Sequence, residues 1–141
     1  MALQYVNQGA ESDPADREAE AEVYLAAGNF GTALRGSPEF ARLRAAGAAL
    51  GADAAAQEAI EAFNTCQSDL QFEIRLGTLD VSQQAEIERL QAAMLALPTV
   101  AEYVAAQSAF EAICRETAEL VTSEIGIDFA ANCRAGGCCG G

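Results

Sequence analysis

From Val23 to Val121 the large apolar residues recur every three or four positions, and this period restricts the chain to helices more than any other feature. Val23, Ala27, Phe30 and Leu34 form one such series, the stripe that 3.6 residues per turn bring to one side of a helix. Ile60, Phe63, Leu70 and Ile74 form a second, and Ile87, Leu90, Met94 and Leu97 a third. A fourth follows with Tyr103, Phe110, Ile113, Leu120 and Val121. Alternating runs of the kind that mark strands are missing. The predicted class is all-α: an antiparallel bundle or hairpin of about five helices with short connections and a flexible Cys/Gly-rich tail.

Proline, glycine and aspartate set the punctuation. Asp13-Pro14 reads as an N-cap followed by the first helical residue, with Asp16, Glu18 and Glu20 complementing the positive helix end. Gly36 closes this helix, and Gly28 and Gly31 weaken it unless close packing uses them. A short helix follows near 38–50, with Phe40, Leu43 and Leu50 as its contacts. Asp53 is placed to cap a long helix over 54–76. Its Phe72 and Leu76 start a second contact surface. Gly77 to Asp80 is a turn, and the next helix covers about 82–97. Pro98 breaks the ladder, and Thr99 with Glu102 has the spacing of a capping box. The last helix runs over about 100–125, with Gly126 as its C′ residue. The implied organisation is a loose N-terminus over 1–12, a helical domain over 13–126 and a tail over 127–141.

Composition narrows the function. The net charge is −13, and the cations are eight arginines with neither lysine nor histidine. Nucleic-acid affinity depends on basic residues that displace counterions, so direct binding of RNA or DNA by this chain is not expected. Without histidine there is no His-dependent triad, no HExxH zinc site and no imidazole base near neutrality. Glu18, Glu20 and Glu22 read as a solvated face, no phosphate-binding glycine loop precedes a helix, and catalysis is not expected. No apolar run reaches the roughly 18 residues of a membrane span. Residues 1–12 lack the basic and apolar regions of a secretory leader, so a cytoplasmic protein with reduced thiols is expected.

The chemistry concentrates at the end of the chain. Cys133, Cys138 and Cys139 fall within seven residues, among glycines. Glycine lets the backbone wrap until neighbouring thiolates converge, and thiolates suit zinc, Cu(I) or an iron–sulfur cluster. Three thiols leave the ligand set of one copy incomplete. The alternative is an oxidisable tail without metal. A disulfide between Cys138 and Cys139 is disfavoured, because adjacent Cα atoms lie about 3.8 Å apart, below the usual span of roughly 4.4–6.8 Å. Cys66 reads as a small boundary residue beside an apolar stripe. Cys114 reads as a core thiol, although helix rise leaves it about 18 Å from Gly126, within reach of the tail.

The tail, Gly-Ile-Asp-Phe-Ala-Ala-Asn-Cys-Arg-Ala-Gly-Gly-Cys-Cys-Gly from Gly126, resembles the C-terminal signature of the YlbF/YmcA family of bacterial and archaeal regulators. Two further stretches, Leu34 to Phe40 and Leu97 to Tyr103, extend the resemblance over roughly residues 16–141. It implies a small helical cytoplasmic protein, not an enzyme, that associates with family paralogues or with itself and with a further partner. It also implies a [4Fe–4S] cluster shared with a partner chain, with Cys133, Cys138 and Cys139 as the matching ligands. The implied processes are competence, sporulation, biofilm formation and mRNA processing by RNase Y. A zinc-binding or thiol-redox-sensing protein and a purely structural assembly protein are the competing readings.

Overall fold

The computed structural model describes residues 13–135, with side chains to Cys133. The expectations for residues 1–12 and for Cys138 and Cys139 lie outside the described residues. All described regular structure is helical, as the periodicity predicts. The chain divides into two units, Met1–Ser37 and Pro38–Gly141.

In the first unit, α1 spans Pro14–Arg35. The Asp13 carboxylate accepts a hydrogen bond from the Ala15 amide at 3.1 Å, and Pro14 loses no helical bond at the first position. Gly36 keeps right-handed helical geometry. The helix stops because Ser37 precedes Pro38, whose ring disfavours helical geometry one residue earlier. The expected stripe on α1 is not buried: Val23 and Phe30 are exposed, as are Tyr24 and Leu25. Nor does close packing use Gly28 or Gly31, since nothing lies within 4 Å of a Cβ built on either.

In the second unit, α2 spans Pro38–Ala52, α3 Ala54–Asp69, α4 Gln71–Leu76 and α5 Val81–Leu95. They are followed by α6 over Pro98–Ile125 and α7 over Phe129–Ala135. The described helices number seven rather than five, because α4 and α7 add to the expected set. α3 packs on α5 and α2 on α6. The latter pair is antiparallel. Phe40 stacks tilted on Phe110 with ring centroids 5.6 Å apart, Arg42 pairs with Glu102, and Gly47 lies beside Tyr103.

The connections follow from local chemistry. Gly77 closes α4 at φ 65°, in the left-handed region that favours glycine. Asp80 then caps α5 reciprocally: its carboxylate accepts from the Gln83 amide at 2.8 Å, and the Gln83 side chain accepts from the Asp80 amide at 2.9 Å. This Asp-x-x-Gln box was open to a sequence reading that took the segment only as a turn. The expected box at Thr99 and Glu102 does not form. Pro98 occupies the first helical position, so Thr99 falls two residues too late to cap, and Leu97 stands at the N-cap without a side-chain bond. Both residues make tertiary contacts instead. Thr99 Oγ1 donates to Asp53 Oδ2 at 2.6 Å, and Glu102 takes a two-bond ion pair from Arg42 at 2.8 and 3.0 Å.

Asp53 therefore ties the α2–α3 junction to the start of α6. One oxygen caps α3 through the Ala56 amide at 3.1 Å while the other receives Thr99. The Thr99 hydrogen bond, followed by the Ala56 amide, holds the Asp53 carboxyl below its ordinary pKa. A depressed folded-state pKa contributes stability above the unfolded value, about 3.9, and that contribution disappears as pH falls through the folded value. Asparagine offers one acceptor oxygen and cannot serve both donors. Asp53→Asn is thus expected to melt below the parent at pH 7, the two curves converging as pH drops under about 4. A constant gap in melting temperature across pH 2.5–7 would contradict this role for Asp53.

The interior is made of small side chains. The buried residues among those described are Ala46, Ala56, Val100 and Ala106. Large apolar side chains remain exposed near the α4–α5 turn (Phe72, Leu76, Val81) and where α6 meets α7 (Leu120, Ile125, Ile127, Phe129).

Candidate functional site

The cysteine-bearing segment starts from the far end of α6. Gly126 ends that helix at φ 73°, the left-handed geometry that its sequence position predicts. Asp128 then organises α7: its side chain accepts from the Ala131 amide at 2.9 Å, and its carbonyl accepts from the Asn132 side chain at 2.7 Å. The Phe129 amide donates to Thr122 Oγ1 at 3.2 Å, and α7 packs on α6. The first half of the sequence-defined tail is thereby a short helix seated on α6. No sequence signal set it apart from the glycine-rich residues that follow, apart from Asp128 at a capping position.

Cys133 lies on α7 and is exposed, whereas Cys66 on α3 and Cys114 on α6 are half-buried. Cys66 lines an open groove between α3 and α5. Among the described residues, no three Cys, Asp or Glu side chains gather in a way that could hold a metal ion. A ligand set built on Cys133 must therefore draw on Cys138 and Cys139 or on another chain. The donor chemistry fits that assignment. The Cys133 thiol is a soft donor on an accessible surface, which leaves it within reach of donors from outside.

Glu86 is engaged by Arg89 at 2.7 Å and Glu102 by Arg42 at 2.8 Å, and in each case the guanidinium lowers the carboxyl pKa. Such pairing keeps the carboxylates ionised and makes them poor proton donors near neutrality. No described helix is long and apolar enough to cross a membrane.

Residues 23–126 match the family model described as control of competence regulator ComK, YlbF/YmcA. The match runs from Val23, within α1, through α6 and ends immediately before the cysteine-bearing segment. No curated protein matches the chain.

Proposed function

The chain belongs to the YlbF/YmcA family of competence-control regulators, and from that membership we propose that it is a non-enzymatic cytoplasmic adaptor acting within a protein complex. The family match over residues 23–126 carries this reading. The exposed apolar residues at both ends of the α2–α7 unit support it, because contiguous apolar surface is commonly a partner surface. Its partners are family paralogues or further copies, and the regulated process is developmental gene expression or mRNA processing.

Within this reading, Cys133, Cys138 and Cys139 hold a [4Fe–4S] cluster, and a partner chain supplies the remaining ligand. The support is the clustering of three thiols at the chain's end and the exposure of Cys133. When bound, the cluster supplies a redox-sensitive link between chains. The chain's own part is to present the thiolates from a segment anchored to α6 through Thr122 and capped by Asp128. Anaerobic co-expression with its paralogues, followed by iron and acid-labile sulfide analysis, tests the assignment. The expected result is iron and sulfide in equal amounts with a brown chromophore. Zinc without sulfide would replace the cluster with a zinc site, and neither metal would reduce the segment to a thiol-bearing appendage.

A further inference from the structure

The groove between α3 and α5 has a volume of about 710 Å³ and opens to solvent. Its α3 wall is one helical face running from Glu58 past Glu61 and Cys66 to Leu70. At 1.5 Å per residue this wall is about 18 Å long, roughly three turns. The opposite wall contributes Glu86 and Leu90 from α5. Cys66, Leu70 and Leu90 are half-buried and give the floor its apolar character. The carboxylates of Glu58, Glu61 and Asp69 are exposed, and among the described residues they have neither an ion pair nor a hydrogen-bond partner.

We propose that this groove docks an amphipathic helix of a partner protein whose apolar face is flanked by lysine or arginine. Two packed helices leave a furrow that a third helix fills, with anchors at i, i+3 or i+4, and i+7. Anchors spaced this way lie over Cys66, Leu70 and Leu90, and flanking cations meet the unpaired carboxylates. Charge complementarity selects the occupant. A second copy is disfavoured because the chain carries −13, with eight arginines against 21 acidic residues, and on its exposed helix α1 Asp16, Glu18, Glu20 and Glu22 outnumber Arg17 and Arg35. Like charges would then face each other across the contact. The tail cysteines play no part, so this docking stands or falls apart from the cluster.

The test uses the full chain and a fluorescein-labelled peptide of about 15 residues, with leucines at helical spacing and lysines beside them. A scrambled peptide of the same composition and a version with glutamate for lysine serve as comparisons. The amphipathic basic peptide is expected to bind, and both comparisons to fail. The exposed double variant E58R/E61R should weaken binding about tenfold or more. Bound peptide should slow alkylation of Cys66, read residue by residue by mass spectrometry, and leave Cys133 unaffected. Absence of binding, equal binding of the scramble, or unchanged affinity in E58R/E61R with Cys66 unprotected would overturn the proposal. So would protection of Cys66 by rising chain concentration alone, which would seat a second copy in the groove.

Discussion

Ala106→Leu is expected to destabilise the α2–α7 unit by about 1–3 kcal/mol, the usual cost of forcing extra methylenes into a filled interior. Ala106 has no accessible surface, and neither does Ala56. The other buried residues among those described are Ala46 and Val100. The separation of helix axes follows the side chains between them, and small residues draw the axes together. Leucine at 106 must push α6 away from its neighbours, straining the contacts that set the α2–α6 register, Phe40 on Phe110 and Arg42 with Glu102. Thermal unfolding should show a drop of roughly 4 °C or more, given the few degrees per kcal/mol typical of domains near this size. Ala105→Leu, at the exposed neighbouring position, should leave the melting temperature nearly unchanged, because leucine and alanine are both good helix formers. Equal effects at 105 and 106 would show that the interior does not depend on small residues.

The sequence revealed helix boundaries well where a single residue has one physical use. Pro14, Pro38 and Pro98 each open a helix, Asp13 and Asp53 cap one, and Gly126 closes one at positive φ. It was less informative where geometry depends on contacts distant in sequence. Arg42 and Glu102 are 60 residues apart, and no local pattern pairs them. The break at Leu70 has neither glycine nor proline to announce it, and the chain departs from helical geometry there for a single residue. Periodicity also misjudged what is buried. It ranked large side chains such as Val23 and Phe30 as core, whereas the second unit closes around alanines, whose even spread through the sequence conceals which of them face inward. The candidate site was readable in its thiols, whose clustering is a fact of sequence. The anchoring of their segment by Thr122 and the groove beside Cys66 were not, since both depend on how helices pair.

Cys133→Ser is expected to remove most of the iron and sulfide from anaerobically co-purified protein while leaving its helix content unchanged. The reason for the second half is structural. Cys133 is exposed, and α7 is fixed by Asp128, Asn132 and the Phe129–Thr122 bond, none of which involves the thiol. The reason for the first half is chemical: serine is a poor ligand for a thiophilic site, and three thiols already fall short of a complete set. Cys138→Ser and Cys139→Ser should behave alike. Cys66→Ser should retain the cluster, because that thiol lies in the α3–α5 groove. Cys114 separates two possibilities. As a half-buried residue of α6, its replacement by serine should cost about 1 kcal/mol, from a hydroxyl placed where a weakly polar thiol packs. Iron content should not change. Loss of iron in Cys114→Ser at unchanged melting temperature would make Cys114 the missing ligand and remove the need for one from a partner chain. Retention of iron and sulfide in Cys133→Ser would exclude Cys133 from the ligand set.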